Sequence, residues 1–507
     1  MHAYVMWGFN AEKTELGHWD VINYESGEGA ESLIEYLKSL SWLDAIVTHH
    51  PKLMAHAVSP FATTEESRGM FKIKLKNKKV QLLNIKSYTA SNEFNIPVCE
   101  DIFKEWESIR PPHSADYPIT AVQLLRQDLK NRMFKKNNRR LKNRWNMLNL
   151  DEKGYIMYQR AKQGGLIYSN PAYFGAKLTD VHDYDKNSAY TAACMTEFFP
   201  KDLGIQIVPE ERLLGRKDIL STVVLRDVSC TSRIPYIYAK KGCVTGRTPI
   251  IRNNRVLEAD RVIITVTAMD WECIKRTYTW SDLEVIDQRR FKLDMLPIDL
   301  RKLAFDITLK DITLKGVPGK EAERARNKIL KNSITGMFGG LKSEEELKND
   351  QYVNPFWYIW LTAYIRNEIY MAALDHERTV IYINTDGIAL TEGDEGYFAK
   401  ADSQAAFKMI AAGFKFPAKI PGCWSLDVYH EYRILGNNKE YRDGEIKLGG
   451  YNLEKSKALI KSVDDFKPGF KGIRDDRFRL LPGGRFDCIS AEQDEFNNMV
   501  NSMLRYA

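Results

Sequence analysis

Two carboxylates far apart in the chain set the chemical question. VIYINTDGIAL, Val380 to Leu390, is an apolar run of β-forming residues that meets Asn-Thr-Asp-Gly and leaves at once as a second apolar run. Asp386 therefore stands at the tip of a hairpin whose two arms look buried. Asn and Asp beside Gly are ordinary turn residues, and most such turns do nothing else. A lone Asp cannot hold catalytic metal ions, which take several oxygen ligands. The partner is found in VHDYDKNSAYTAACM, Val181 to Met195, which begins as a polar strand. Asp183 and Asp185 share one face of it, because side chains two apart in a strand point the same way. Asn-Ser-Ala-Tyr and a helical run follow. A strand end carrying Asp, then a tight turn with unused main-chain N–H groups, suits a metal-bound triphosphate. Between the two segments lies ERARNKILKNSITGMFGG, Glu323 to Gly340, in which Arg324, Lys328 and Asn332 recur at helical spacing on one face. Such a ladder can grip a polyphosphate; taken singly it is more often a solvated helix face.

The chain of 507 residues has room for large cores and about two to four domains. Its 44% apolar and 28% charged residues are ordinary for a globular protein. No apolar run reaches membrane-spanning length and the N-terminus has no secretory h-region, which points to a soluble, intracellular protein. Seven cysteines, at 99, 194, 230, 243, 273, 423 and 488, form no Cys-x-x-Cys pair, so neither a zinc site nor a disulfide framework is indicated. The net charge of +7 does not by itself separate a nucleic-acid enzyme from a metabolic one. Its distribution says more: Asp128 to Trp145 holds eight Lys or Arg between Lys130 and Arg144 and no acid in that interval. That is either a phosphate-sized patch, with Lys130, Lys135, Lys136, Arg139 and Arg140 at its centre, or a solvated helix or linker face.

The elements that must position these groups follow from the pattern. Ala3 to Phe9 reads as a strand, Ser32 to Leu40 as an amphipathic helix and Lys79 to Ile85 as another strand, giving an α/β domain that the basic stretch ends. A second strand-rich block opens near Gly165. Between Leu203 and Leu300 short β runs such as Ser221 to Leu225 and Arg261 to Thr267 are broken by Gly, Pro and charges. Helical character dominates from about Leu300 to Phe338, and a long helix from Pro355 to Leu374 leads into the hairpin. There is no internal repeat.

Taken in order, the three chemical segments resemble the polymerase motifs of the family B DNA polymerases. Asp185-x-Asn187-Ser188-x-Tyr190 is similar to the first motif, Lys328-x-x-x-Asn332-Ser333-x-x-Gly336 to the second and Tyr382-x-Asn384-Thr385-Asp386 to the third. Lys439-Glu440-Tyr441 resembles the Lys-x-Tyr element of the protein-primed, bacteriophage-type branch, and Gly164-Gly165 its Tyr-x-Gly-Gly element, with Lys162 in place of the Tyr. The resemblance runs from about Gly164 to the C-terminus.

What the resemblance implies is a right-hand polymerase of palm, fingers and thumb, α/β and multidomain, with a degenerate RNase H-like exonuclease-type domain at its N-terminus. The boundaries it implies are 1–148 for that domain, 149–202 for palm with the first motif, 203–300 for an insertion resembling the priming-protein-interacting region plus palm strands, 301–342 for fingers, 343–465 for palm with the third motif and the Lys-x-Tyr element, and 466–507 for thumb. Two divalent cations, Mg²⁺ or Mn²⁺, would sit between Asp185 and Asp386, with the backbone carbonyl of Lys186 as a further ligand. Arg324, Lys328 and Asn332 would face the triphosphate, which the backbone around Ser188 and Ala189 would cradle. Tyr190 would be the steric gate that excludes a 2′-hydroxyl. Thr385, Lys439, Tyr441, Gly164 and Gly165 would hold the primer strand. The implied partners are DNA primer-template, deoxynucleoside triphosphates and a priming terminal protein, with no membrane, for a monomer in the cytoplasm of a bacterial host.

Departures from the family pattern shape the expectation. Asn384 stands where Asp is usual, which puts the metal preference in question, and Gly387 where Ser is common. Thr335 replaces a usual Tyr near the nascent base pair, so the pocket is expected to be roomier. Thr191 replaces a usual Pro, with no chemical consequence legible from the residues. Relatives carry a proofreading exonuclease that opens on an Asp-x-Glu strand. Here MHAYVMWGF resembles the strand after it, and THHPKLMAH (Thr48 to His56) has no acid where an Asp-bearing motif is expected. One remnant carboxylate, Asp128, cannot assemble a two-metal nuclease. The N-terminal domain is therefore expected to bind nucleic acid or brace the palm without cutting, with His49, His50 and His56 structural. About forty residues separate the second and third motifs, which leaves little room for the insertion that encircles DNA in relatives. Template-directed synthesis without proofreading for a phage or mobile element leads; a catalytically silent relative that binds primer-template or a priming protein, and template-independent or protein-primed synthesis, stay open.

Overall fold

The computed structural model describes residues 150–339, 354–448 and 459–473 apart from a few single positions; outside these it describes the segments 30–39, 45–48, 62–67, 70–75, 79–84, 477–480, 486–489 and 493–495 and some isolated residues. The strand expected at Ala3 to Phe9, the histidines His49, His50 and His56, and the basic residues Lys130, Lys135, Lys136, Arg139 and Arg140 lie outside the described residues.

The chain divides into two compact units. Met1–Asp128, Thr313–Leu330 and Arg474–Glu492 form one; Leu129–Ile312, Lys331–Ile473 and Gln493–Ala507 form the other. In the first, the helix Ala30–Ser39 buries Ile34 and Leu37 and exposes Glu31, Glu35 and Lys38, the one-sided spacing that a helix on a sheet requires. Its sheet has four strands in the order Ala45–Thr48, Lys79–Asn84, Met70–Lys74, Thr63–Ser67, the first pair parallel and the others antiparallel. The helix and the last strand of that sequence stretch are where the residue pattern puts them.

The second unit is organised by a five-stranded antiparallel sheet. Its strands are β1 (Leu166–Ser169), β2 (Val181–Lys186), β3 (Val380–Thr385), β4 (Gly387–Leu390) and β5 (Trp424–Tyr429), in the spatial order β5-β2-β4-β3-β1. The hairpin β3–β4 inserts beside β2, so residues two hundred positions apart in sequence become ladder neighbours. Helices α1 (Ala189–Thr196), α2 (Ile298–Thr313), α4 (Phe356–Asp375) and α5 (Glu395–Ala411) complete the frame, and α3 (Glu321–Met337) belongs to the first unit up to Leu330 and to this one from Lys331. In α4 Phe356, Trp357, Trp360, Leu361, Ile365 and Ile369 point in several directions and all are buried, as a helix apolar on every side must be. Among them Arg366 is also fully buried.

Residues 205–290 form a seven-stranded sheet rather than a set of short runs. Ile219–Cys230 and Arg255–Val266 are its long central strands, paired antiparallel from Glu258↔Ser229 to Val266↔Ser221. The helix Ala268–Thr277, absent from the strand pattern expected of this stretch, is launched by a capping box in which the Thr267 and Asp270 side chains bond each other's backbone. Asp at the third position, where Glu or Gln is the familiar signal, and a single Trp-Cys-Ile face made it inconspicuous. The Lys-x-Tyr element lies in a three-stranded meander, β6 (Tyr432–Gly436), β7 (Lys439–Arg442) and β8 (Glu445–Leu448). Among the described residues no helix is long and apolar enough to cross a membrane.

Candidate active site

The tip of the β3–β4 hairpin is strained at one residue. Asn384 and Gly387 pair across the ladder, leaving Thr385 and Asp386 as a two-residue loop, and the Asp386 N–H donates to the Asn384 carbonyl at 2.6 Å. Thr385, the first residue of that loop, takes a positive φ of 60°. A β-branched residue there is an outlier, and such outliers persist where surrounding structure over-determines them. Here the surroundings are Gly165: a Cβ on it would stand 2.5 Å from Thr385 Cγ2 and 3.1 Å from the Tyr190 hydroxyl. The Gly-Gly element, the hairpin tip and Tyr190 thus meet at one point.

The register brings the main chains at the two acidic positions together. Gly387 is the ladder partner of Asp185, and the Lys186 N–H donates to the Asp386 carbonyl at 2.9 Å. A Cβ on Gly387 would lie 3.2 Å from Asp185 Oδ1 and 3.2 Å from the Tyr184 carbonyl, so the space beside Asp185 explains a Gly where Ser is common. Asp185 is exposed and Asp386 half-buried. Burial first, and the Asp386 charge second, push the Tyr190 phenol above its ordinary range, so it stays a neutral hydroxyl. The Lys186 ammonium is occupied elsewhere, 2.5 Å from Glu368 and 5.5 Å over the Trp424 ring, which leaves only its main chain at the site.

A cavity of about 190 Å³ opens beside Asp185, lined in part by Asp183, Asn384, Gly387, Glu440 and Arg442. Burial pushes Asp183 up to about 7, against the opposing charge of Arg442, whose Nη1 is 2.6 Å away. Arg442 also holds the buried Glu440 at 3.0 Å. Among the described residues no three Asp, Glu, His or Cys side chains converge as a self-contained metal site. Asp185, Asp386 and the Lys186 carbonyl fit instead a site that substrate phosphates and water complete, the usual way Mg²⁺ is held.

Two supports were not legible in the motifs. Arg366 donates to the carbonyls of Gln163 and Gly164, both at 2.9 Å, and pairs with Asp270 at 2.8 Å. Burial alone would raise Asp270, but the Arg366 charge and the Tyr236 hydroxyl bond outweigh it and hold the carboxyl low. Arg366 therefore fixes the Gly-Gly main chain; the available signal was a lone cation inside an apolar helix, since buried Arg is nearly always paired. Thr191, in place of the usual Pro, donates to the Ser188 carbonyl at 3.0 Å and accepts from Thr308 at 2.9 Å, two bonds that Pro could not make.

Ser188 precedes α1 with φ 51° and Ala189 is buried in its first turn. On α3 Arg324 is half-buried, while Lys328 and Asn332 are exposed. Lys439 is half-buried on β7. The Tyr441 ring is in a core with Leu435, Ile446, Leu448 and Phe466, at 6% exposure, rather than on an open surface.

No protein-family model matches the chain, and no curated protein matches its sequence. Solved structures are similar throughout its length. Phi29 DNA polymerase complexed with primer-template DNA and incoming nucleotide substrates matches with a TM-score of 0.65 over 97% of this chain and 98% of that one, at 14% identity. The single-stranded DNA complex of the same polymerase gives 0.64 over 97% and 99%, at 14% identity. Its orthorhombic crystal form gives 0.62 over 98% and 99%, at 16% identity. The chain thus has the mixed α/β, multidomain fold of phi29 DNA polymerase, the protein-primed family B fold that its motifs resemble.

Proposed function

We propose that the chain is a template-directed DNA polymerase that adds deoxynucleotides to a primer 3′-hydroxyl, without 3′–5′ proofreading, in the replication of a phage or mobile element. One observation carries this reading: the ladder that sets Asp185 opposite Gly387, and hence beside Asp386. Asp185, Asp386 and the Lys186 carbonyl would hold two divalent cations, Mg²⁺ or Mn²⁺. When bound, the cations supply a lowered pKa for the primer hydroxyl and neutralise charge on the transferred phosphorus and the departing pyrophosphate.

The chain's own residues do the positioning. Ser188 and Ala189 stand at the positive end of α1, where main-chain N–H groups meet phosphate oxygens. Arg324, Lys328 and Asn332 grip the triphosphate. Tyr190, kept neutral, closes the space a ribose 2′-hydroxyl would need. Gly164 and Gly165, fixed by Arg366, and Thr385 guide the primer strand. Tyr441 braces from the core the strand that presents Lys439 to primer phosphates. Residues 1–148 bind nucleic acid or brace without cutting, and 203–300 offer a surface to a priming protein.

The test is extension of a labelled primer on a single-stranded template with Mg²⁺ and then Mn²⁺. Asp185→Ala and Asp386→Ala are each expected to lower extension by at least about a thousandfold, the scale of several kcal/mol of lost charge stabilisation. Tight primer-template binding with no extension in either metal would leave a silent binding protein, a reading that Asn384 favours.

A further inference from the structure

A cation sits where helix electrostatics disfavours one. Lys331, on α3, donates from Nζ to Ser188 Oγ at 3.1 Å and forms an ion pair with Asp311 of α2. Both charged side chains are nearly buried, at 12% and 9% exposure. Ser188 is the residue ahead of α1, and its hydroxyl makes no cap to the helix. The first N–H groups of a helix have no carbonyl partner within it and carry the positive end of the dipole. A residue placed there for stability alone would be an anion or a capping acceptor. The chain instead brings a lysine and pairs it with the Asp311 carboxylate.

We infer that Lys331 is a polyphosphate-binding residue of this site, stored against Asp311 until the phosphates of an incoming nucleotide take up its charge. That the anion is a deoxynucleoside triphosphate rests on the function proposed above; that the site takes a polyphosphate does not. The neighbouring bonds keep the spacing fixed. Thr308, one turn before Asp311 on α2, donates to Thr191, which donates to the Ser188 carbonyl, so the carboxylate and the start of α1 are tied together independently of the lysine. Lys331 is then the one group of the cluster with a mobile stem. Its ammonium can keep one proton on Asp311 and turn another toward an oxygen held by the α1 amides, as lysine's three donors allow. Lys328, one turn earlier on α3, is the motif lysine, and Lys331 is additional to the family pattern that the sequence resembles.

A purely structural ion pair predicts that removing either partner has the same sign. A stored cation predicts opposite signs. The probe is inorganic tripolyphosphate with Mg²⁺, titrated calorimetrically into the full chain, with melting curves confirming that each variant is folded. Lys331→Gln is expected to weaken binding about tenfold, and Lys331→Arg to stay within about threefold of the parent, the scale of one charge-assisted hydrogen bond. Asp311→Asn, which frees the ammonium, is expected to tighten binding about threefold. Because Lys331→Gln takes a counter-charge from a buried carboxylate, the double variant Lys331→Gln with Asp311→Asn supplies a neutral pair and should bind as weakly as Lys331→Gln. Unchanged binding in Lys331→Gln, equal weakening in both single variants, or no binding by the parent overturns the inference. Primer extension by the same proteins separates the two ideas. A parent that binds tripolyphosphate in this pattern and never extends a primer refutes the polymerase, and a parent that extends with Lys331→Gln unaltered in nucleotide KM refutes the lysine.

Discussion

The five-stranded sheet that carries the carboxylates and the seven-stranded sheet of residues 205–290 belong to one unit and use their interiors differently. Ile219 to Leu225 are buried in unbroken succession, facing across the ladder Val262, which is buried, and Ile263 and Ile264, which are half-buried. Of the polar groups buried there, Thr222 meets Thr265 at 2.9 Å, Gln288 meets Ser221 and the Glu210 main chain, and the buried guanidinium groups of Arg255 and Arg289 donate to main-chain carbonyls. Positive φ in this region falls on residues such as Asp227, Asn253 and Asn254 that tolerate it, besides its glycines. In the five-stranded sheet and its flanks it falls on Ser188 and Thr385 as well as on Asp180, and the interior holds ions of both signs: Lys186, Arg366, Arg442 and Glu440. Buried groups of both charges gather around the strands that carry Asp185 and Asp386, whereas the larger sheet settles its buried cations, Arg255 and Arg289, on main-chain carbonyls.

The junction between them gives the largest effect. Asp270 caps a helix of the larger sheet and Arg366 lies on α4, so their pair joins the two regions. Asp270→Ala leaves a fully buried guanidinium without a counter-charge and is expected to cost about 3–5 kcal/mol, read as a fall in the urea midpoint. The double variant Asp270→Leu with Arg366→Met should recover stability to within about 1 kcal/mol, since apolar replacement of a buried pair is often neutral. Extension should stay about tenfold down, because the Gly164 carbonyl has lost its donor. If the double variant regains full extension, the pair is only a brace and the contrast between the sheets fails at their border.

Inside the larger sheet the expectation is the reverse. Leu225 is fully buried and pairs with Val262 and Leu283. Leu225→Ala should destabilise by about 2–5 kcal/mol through lost burial and a residual cavity. The extension rate per folded molecule should not change. A comparable loss of rate at temperatures where the variant is fully folded would show that this sheet also positions the site.

These contrasts mark what the residue pattern could and could not reveal. The hairpin, the strand with Asp185, the helix over Arg324 to Asn332 and the long apolar helix are set by residue types within one local window, and each is found where the pattern places it. The resemblance implied two cations between Asp185 and Asp386, while the ladder partner of Asp185, Gly387, is seen only in the fold. Arg366 reaches Asp270 across 96 positions and Gly164 across 202, and Lys331 reaches Ser188 across 143. No periodicity encodes such pairs, because a buried ion is recognised only by its partner. Tyr441 shows the converse: a motif names the residue, and only packing shows that its ring belongs to the core.

Gly165→Ala probes the strained tip with a smaller change. Its methyl would meet Thr385 Cγ2 at 2.5 Å and the Tyr190 hydroxyl at 3.1 Å, so the loop or the tyrosine must move. Extension is expected to fall about tenfold, from a displacement of the order of 1 Å, with little change in melting. Thr385→Ser in the same background keeps the hydroxyl and removes the clashing methyl, and should recover most of the rate. Failure to recover would move the defect from Thr385 to Tyr190, whose discrimination against ribonucleotides would then fall in Gly165→Ala.

The smallest effect is a pH dependence at the second link between the regions. Lys240 donates to the carbonyls of Arg160 and Lys162, just ahead of the Gly-Gly element, and burial pushes its ammonium down to about 8 from the ordinary 10.5. Between those values the unfolded chain binds the extra proton, so stability from this group rises with pH above about 8 and is flat below it. The difference in unfolding free energy between the parent and Lys240→Met isolates it from other titrations. That difference should move in favour of the parent by about 1 kcal/mol between pH 7.5 and pH 9.5, a value discounted for partial solvent access. If the two pH profiles run parallel, the ammonium is solvated in the folded chain and does not tie the larger sheet to the Gly-Gly segment. Arg366 would then be the main link by which the stable region holds the strained one.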